Sequence, residues 1–256
     1  MVSKNPKIQI VADVDAMSRA ATETIVAHIS ESLQTRDVFS IALSGGSTPR
    51  RLYALLANDA KLREQILWER VHFFWGDERH VPPDHPESNY RMAYNALLSK
   101  VPIPSINIHR IRAEDSDADK AAADYEQEIR RFFKINAGQM PRFDCVLLGM
   151  GPDGHTASLF PGTSALEETE RMAVANWIKK FQSYRITLTV PLFNNADRIL
   201  FLVGGMEKAN TLKLVLEGDA KASRFPVQLI QPTRGDVTWF LDRSAAGRLA
   251  LLKQKQ

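Results

Sequence analysis

Apolar positions along the chain alternate between short continuous runs and longer stretches with helical spacing. Short runs rich in β-branched and aromatic residues predict strands over 8–11, 39–43, 71–75, 106–110, 143–149, 185–190, 198–203 and 237–241. Stretches with an apolar residue every three or four positions predict helices over 15–34, 50–57, 89–98, 117–133, 207–217 and 245–252. The alternation predicts an α/β fold, an open, mainly parallel sheet with helices on both faces.

The organisation of the chain is uniform. The run over 143–149 is almost wholly apolar, which is typical of a central strand covered on both faces. The sequence has no internal repeat, no low-complexity linker and no break in composition. We therefore expect residues 1–256 to form a single α/β domain, with a small subregion near 160–190.

The composition excludes several classes of protein. The 33 basic and 30 acidic residues give a net charge of +3, and no dense basic block is present, so we expect no nucleic-acid partner. No apolar run has the length of a signal peptide or a bilayer-spanning helix, which predicts a soluble, cytoplasmic protein without a membrane partner. The one cysteine, Cys145, lies in an apolar run and is expected to be a buried structural thiol.

The unusual residues lie in loops that follow predicted strands. In open α/β sheets, ligands bind beyond the carboxyl ends of the strands. The loops after Leu43, Trp75, Gly149 and Val203 are therefore expected to face one crevice.

The first of these loops has the character of an anion site. It follows a strand and opens a helix, so unpaired backbone N–H groups lie at the positive end of a helix dipole. Its glycines permit close approach of a ligand, and it lacks the GxGxxG and GK[ST] patterns of nucleotide loops, so it suits a single phosphoryl group. The alternative is a tight turn whose serine or threonine only caps the helix. The candidate phosphate-binding residues are Ser44, Gly45, Gly46, Ser47 and Thr48.

The second loop has charged side chains directly after the apolar strand 71–75. Arg79 could bind phosphate or carboxylate oxygens with its planar guanidinium. Asp77 could accept hydrogen bonds from sugar hydroxyls or transfer a proton. The alternative is a salt-bridge cluster on a surface turn.

The third loop, GMGPDGHTASLFP over 149–161, is the strongest chemical signal in the sequence. A neutral histidine can accept a proton from water, so His155 is a candidate general base. Asp153, two residues earlier, could fix the tautomer of the imidazole. No second histidine or carboxylate lies three or four positions after His155, so we expect no metal.

Two cations stand at strand ends where they could reach the same crevice. Arg185 begins the run 185–190, and Lys208 follows the run 198–203. Each could be a solvated surface charge or a ligand for phosphate. The remaining histidines lack a comparable setting and are expected to have a structural role or to lie on the surface.

Taken in order, these motifs resemble those of a known family. The segments SGGSTP, GDERHVPPDHPESNYRMA, GMGPDGHTASLFPG, RITLTVPLFNNA, GGMEKA and VTWFLDRSAA are similar to those of 6-phosphogluconolactonases of the pentose phosphate pathway, over about residues 8–250. The related glucosamine-6-phosphate deaminases share the SGGSTP-like and DGH motifs. The resemblance implies a Rossmann-like sheet of the glucosamine-6-phosphate deaminase type.

The resemblance also implies an activity and roles for the candidate residues. The expected reaction is hydrolysis of 6-phospho-D-glucono-1,5-lactone, a small-molecule sugar-phosphate lactone, to 6-phospho-D-gluconate. His155 would activate water, and Asp153, Asp77 and Arg79 would shape the sugar-ring site. The SGGST loop, Arg185 and Lys208 would hold the 6-phosphate. The chemistry requires no cofactor, and a monomer or a homodimer is expected.

Alternative functions differ from this one at identifiable positions. In the deaminases a glutamate follows DGH and assists ring opening, whereas this chain has TASLFP, which disfavours a deaminase-like aldose/ketose isomerase. A non-catalytic sugar-phosphate binding protein would be expected to have a DNA-binding module before the first strand. An adenylating enzyme would have SGGxDS, and here Thr48-Pro49 replaces the Asp-Ser pair.

Overall fold

The computed structural model describes residues 6–218 and 225–250. The strands of this part of the chain are β1 (Lys7–Val11), β2 (Phe39–Leu43), β3 (Val71–Trp75), β4 (Asp77–Arg79), β5 (Cys145–Leu148), β6 (Ala173–Ile178), β7 (Ser183–Leu188), β8 (Arg198–Val203) and β9 (Asp236–Asp242). The α-helices are α1 (Val14–Ser32), α2 (Ser47–Asn58), α3 (Ala60–Arg63), α4 (Asn89–Ala96), α5 (Ala118–Phe133), α6 (Val190–Asn194), α7 (Ala209–Glu217) and α8 (Arg243–Ala246).

Six strands form the main sheet, in the order β1-β9-β8-β5-β2-β3. Every neighbouring pair in this sheet is parallel. All residues of β2 and β5 are buried, and because successive side chains point to opposite faces, both faces of the sheet are covered. The predicted α/β fold with a parallel central sheet is confirmed.

A second, antiparallel sheet has the order β4-β7-β6. It contains the strand predicted over 185–190, which lies instead at Ser183–Leu188. The prediction extended too far because Thr189 is the N-cap of α6, whose second residue is Pro191, and a proline cannot donate to a strand ladder. Two of its strands, β6 and β7, lie in the subregion expected near 160–190, and the third, β4, comes from Asp77–Arg79.

The strand predicted over 106–110 is wrong. Residues Ser105–Asn107 form a 3-10 helix, and Ile108 makes only a single bridge to Phe73 at the edge of the main sheet. The side-chain amide of Asn107 donates to the carbonyls of Glu69 and Val71, at 2.9 and 3.2 Å. These bonds hold the segment in a turn, which the local sequence does not reveal.

The helix predictions differ from the structure mainly at the ends. The helix predicted from residue 50 begins at Ser47, and the one predicted from residue 207 begins as a 3-10 turn over Met206–Lys208. The helix predicted over 89–98 ends at Ala96. Of the helix predicted over 245–252, the structure has α8 at Arg243–Ala246, and the last two predicted residues lie outside the described part of the chain.

Two further expectations concern burial and membranes. Cys145 is a free, buried thiol in β5, and burial raises its pKa, so the predicted structural thiol is confirmed. Among the helices of residues 6–218 and 225–250, none combines the length and the apolar character needed to cross a bilayer.

Candidate active site

The carboxyl ends of β2, β3, β5 and β8 meet at a cleft of about 290 Å³. This is the crevice that the loop positions predict. Ten of the eleven candidate residues line it, and the eleventh, Asp153, lies behind His155. The ten are Ser44, Gly45, Gly46, Ser47, Thr48, Asp77, Arg79, His155, Arg185 and Lys208.

The loop after β2 leaves a helix N-terminus open to this cleft. Gly46 is the N-cap of α2, with a φ of 108° that favours glycine, and no side chain within residues 6–218 and 225–250 caps the helix. The first helical hydrogen bond runs from the Arg50 N–H to the Gly46 carbonyl. The interpretation of this loop as a turn that merely caps its helix is therefore wrong. Its free N–H groups and the helix dipole favour an anion.

Two arginines of the small sheet face each other across the ladder. Arg79 on β4 and Arg185 on β7 are directly opposite in register, an arrangement that is unfavourable for like charges. The Arg79 Nε atom is buried without a hydrogen-bond partner among the described residues. A bound anion in contact with both guanidinium groups would lower the electrostatic cost of holding these two cations together.

Arg185 and Lys208 have no carboxylate within ion-pair distance in the described part of the chain. Burial lowers the pKa of both side chains, because it penalises the charged form. Lys208 reaches the cleft from the 3-10 turn that follows Gly205. Both cations are thus partly desolvated, and a bound anion would supply the missing counter-charge.

The imidazole of His155 is held by two contacts. Its Nδ1 lies 2.5 Å from Oδ1 of Asp153, and its ring stacks on Phe160 with a centroid separation of 4.1 Å. Partial burial raises the pKa of Asp153, but the hydrogen bond and charge of His155 outweigh this and hold the pKa below its ordinary value. Since Nδ1 is occupied, Nε2 is the nitrogen available to a ligand.

Glycines make room for this arrangement. Gly154 has a φ of 75°, which produces the turn between Asp153 and His155. A Cβ at Gly151 would lie 2.1 Å from Cε1 of the His155 ring. The glycines that make this loop recognisable in the sequence therefore have a structural reason to be there.

Asp77 is buried and does not belong to a salt-bridge cluster. Its Oδ2 accepts a 2.6 Å hydrogen bond from the Ser158 hydroxyl, and no basic side chain of the described residues forms an ion pair with it or with Glu78. Glu78 points away from the cleft and accepts from the N–H groups of Arg79, Asn89 and Tyr90. The salt-bridge interpretation of this loop is wrong, and its carboxylates are held by hydrogen bonds.

Three residues of the site were missed by sequence reasoning. Asn89 lines the cleft and donates to the Asp77 carbonyl at 2.9 Å, Ser158 binds Asp77, and Phe160 supports His155. Ser158 and Phe160 lie in the DGH segment, so their proximity to the histidine in the sequence was a usable signal. Asn89 opens a predicted helix and offered no signal of its contact with a residue twelve positions away.

The fold places this protein among the α/β proteins that bind small molecules at the carboxyl edge of a parallel sheet. More narrowly, the chain belongs to the family Glucosamine-6-phosphate isomerases/6-phosphogluconolactonase, which matches residues 12–239. It is 40% identical over 244 residues to a 6-phosphogluconolactonase of Synechocystis sp., covering 95% of this chain and 98% of that protein.

Solved structures show the same relationship. A 6-phosphogluconolactonase from Trypanosoma cruzi matches with a TM-score of 0.87 at 35% identity, over 98% of both chains. A monomeric glucosamine-6-phosphate deaminase of the NagB superfamily matches with a TM-score of 0.78 at 21% identity, over 94% of this chain and 99% of that one. The second match concerns the fold alone, and it confirms the expected fold type.

Proposed function

We propose that this protein hydrolyses 6-phospho-D-glucono-1,5-lactone to 6-phospho-D-gluconate, a step of the oxidative pentose phosphate pathway. The observation that carries the proposal is the His155 imidazole, oriented by Asp153, in a cleft that also holds two desolvated cations with no ion-pair partner among the described residues. The cleft thus combines a base for water with a site for a phosphate. The similarity to proteins named 6-phosphogluconolactonase supports this choice of substrate.

In the proposed reaction, Nε2 of His155 accepts a proton from water while the water oxygen attacks the lactone carbonyl carbon. The carbon–oxygen bond of the ring then breaks, and the ring oxygen receives that proton back from Nε2 of the His155 imidazolium, which gives the hydroxyl of the open-chain acid and restores the neutral imidazole. Asp153 keeps the second imidazole proton on Nδ1 and stabilises the imidazolium. Stacking on Phe160 fixes the plane of the ring.

The 6-phosphate binds at the opposite wall of the cleft. The N–H groups at the start of α2, the hydroxyls of Ser44, Ser47 and Thr48, and the cations Arg185 and Lys208 address the dianion. Ser44 supports this role, since its hydroxyl is buried and has no partner among the described residues. Anchoring the phosphate uses binding energy remote from the reacting carbon to hold that carbon near His155.

Asp77 and Arg79 contact the sugar ring between the phosphate and the reacting carbon. Asp77 is held by Ser158 and Asn89 and makes no hydrogen bond with the His155 imidazole. It therefore orients the sugar hydroxyls while His155 acts as the base. Arg79 donates to the Glu87 carbonyl, which fixes its guanidinium at the edge of the cleft.

Deamination of glucosamine 6-phosphate is disfavoured by the segment after the histidine. Between Thr156 and Phe160 the chain has no carboxylate, and its hydroxyls are engaged with Gly149 and Asp77. No group of this segment can transfer protons during ring opening of an amino sugar.

We also propose that the protein needs no cofactor and acts in the cytoplasm as a monomer or homodimer, without a nucleic-acid partner. Lactone hydrolysis requires only water, a base and oriented donors, all of which the cleft can supply.

The direct test is incubation with freshly prepared 6-phosphogluconolactone while acid release is followed, with ammonia release from glucosamine 6-phosphate measured in parallel. We expect lactone opening far above the spontaneous rate and no ammonia. Ammonia release at a rate comparable to lactone opening would overturn the proposal.

A further inference from the structure

Asn89 joins two walls of the cleft that are far apart in the sequence. It is the first residue of α4, and only 2% of it is exposed. Its Nδ2 lies 2.9 Å from the Asp77 carbonyl oxygen and 3.4 Å from Asp77 Oδ1. The side-chain amide therefore holds the segment that presents Asp77 to the cleft.

The same amide packs against the loop after β2. A Cβ built on Gly45 would lie 1.9 Å from Oδ1, 2.5 Å from Cγ and 2.8 Å from Nδ2 of Asn89. Gly45 does not have a positive φ, so its backbone is open to any residue. The requirement for glycine at position 45 is thus steric, and Asn89 imposes it.

The neighbouring Gly46 must be glycine because of its backbone conformation and not because of steric crowding. Its φ of 108° is strained for any other residue, while the nearest atom to a built Cβ is Cδ of Pro49 at 3.8 Å. The two glycines are adjacent, yet only one of them depends on Asn89. This difference provides a matched control.

We propose that Asn89 is a positioning residue whose amide orients Asp77 and whose side chain fills the space beside position 45 of the phosphate-binding loop. The proposal rests on the proposed function, since it assigns the two walls to the two ends of one substrate. Displacement of the loop would weaken phosphate binding, whereas loss of the amide donor would leave Asp77 misoriented toward the sugar. A misplacement of about 1 Å can reduce turnover by as much as 10²-fold.

Removal of the Asn89 side chain should leave the fold intact. The backbone N–H of Asn89 donates to Oε1 of Glu78 at 2.7 Å, and Ser88 caps α4 by accepting from the Arg91 N–H. Neither contact involves the Asn89 side chain. Asn89→Ala therefore removes the contacts to Gly45 and Asp77 and keeps the anchor of the helix.

The experiment is a pair of double-mutant cycles. The first combines Gly45→Ala with Asn89→Ala, and the second combines Gly46→Ala with Asn89→Ala. We expect Gly45→Ala to raise KM by about tenfold or more and to lower Tm, and we expect Asn89→Ala in the same chain to restore both toward the values of Asn89→Ala alone. Gly46→Ala should gain nothing from Asn89→Ala, because its defect is conformational. Asn95→Ala, exposed on the same helix, serves as a neutral control.

A second readout separates positioning from stability. In Asn89→Ala, kcat should fall by about tenfold while KM changes by less than about threefold, because the loop remains in place and Asp77 loses its donor. The double variant with Gly45→Ala should recover KM but keep this reduced kcat. The positioning role would be contradicted if Asn95→Ala lost as much kcat and Tm as Asn89→Ala does. An unchanged kcat in Asn89→Ala would contradict it as well.

The steric part of the proposal is tested without any reaction. Two measurements in the first cycle require no turnover. They are the recovery of Tm and the recovery of the affinity for 6-phosphogluconate, measured by calorimetry. If the wild type neither opens the lactone nor binds 6-phosphogluconate, the proposed function fails while the Tm cycle still reports on Asn89. If the wild type does both and Gly45→Ala is not rescued, the inference about Asn89 fails alone.

Discussion

His155 offers one nitrogen to the cleft because Asp153 occupies the other at 2.5 Å. As the proposed base, His155 would act on water held in the cleft, so its loss should affect turnover more than binding. We expect His155→Ala to reduce kcat by roughly 10² to 10⁴ with little change in KM, because the attacking water loses its proton acceptor. Initial rates of acid release, corrected for spontaneous hydrolysis at each pH, measure the effect.

The control for this variant is Asp77→Ala, compared at matched thermal stability. Asp77 contacts Ser158 and Asn89 and has no bond to the imidazole, so its replacement should weaken substrate orientation without removing the base. A near-normal kcat in His155→Ala together with a large loss in Asp77→Ala would make Asp77 the base and reverse the two roles.

Residues that follow a strand in a glycine-rich or charged segment could be selected from the sequence alone. Asp77, His155 and the SGGST loop all have this local signature. Asn89 could not be selected, because its importance comes from contacts with Gly45 and Asp77 that only the folded chain creates. Phe160 likewise becomes informative only when its ring is seen against His155.

At the scale of elements, a chain of hydrogen bonds links the edge of the main sheet to α5. His72 on β3 lies 3.0 Å from His109, which in turn lies 2.8 Å from Glu128 on α5. Burial, with a smaller effect of His109, lowers the pKa of His72 to about 4. Burial also lowers the pKa of His109, although Glu128 opposes this.

The sign of the resulting pH dependence follows from the lowered pKa. In the unfolded chain His72 takes up a proton near its ordinary pKa of about 6.5, whereas in the folded protein it stays neutral down to about pH 4. Between these two pH values the unfolded chain binds a proton that the folded protein does not. The contribution of His72 to the free energy of unfolding is therefore at its full value above about pH 6.5 and is lost as the pH falls toward 4.

His72→Phe replaces the titratable imidazole with a phenyl ring that still packs against the neighbouring aromatic rings. We expect the Tm of this variant to decrease less than that of the wild type when the pH is lowered from 7 to 5. The decrease should be smaller and not abolished, because burial also lowers the pKa of His28 to about 4. Differential scanning calorimetry at the two pH values measures this. An identical decrease in both proteins would contradict the interpretation.

Elements whose identity depends on local periodicity were predictable. The helices α1 and α5 and the buried strands β5 and β8 follow from the spacing and length of their apolar positions. Membership of a sheet was not predictable for 106–110 and 185–190, because it depends on partners elsewhere in the chain. The first segment is held in a turn by Asn107, and the second pairs with β4 and β6 outside the main sheet.

At the scale of the whole molecule, buried side chains of both sheets belong to one continuous apolar cluster. It includes Leu147 and Phe201 of the main sheet and Val174 and Ile186 of the small sheet. We propose on this basis that residues 1–256 unfold as a single domain.

Ile186→Ala tests this proposal. Ile186 lies on β7 and is fully buried, and its truncation should cost about 2–5 kcal/mol. We expect one calorimetric transition at a lower temperature, since the loss is shared by the whole molecule. A new early transition, with the remainder melting as in the wild type, would show that the small sheet unfolds separately.

The central claim is that one cleft joins a phosphate site to a general base, and substrate discrimination tests it most directly. The measurement is kcat/KM for 6-phosphogluconolactone and for the unphosphorylated glucono-1,5-lactone, with the wild type and with Lys208→Ala. We expect the wild type to prefer the phosphorylated lactone strongly. Lys208→Ala should lower kcat/KM for that lactone by roughly 1.5–3 kcal/mol and leave the other nearly unchanged, because only the dianion contacts the lysine. Equal hydrolysis of both lactones by the wild type would contradict the account.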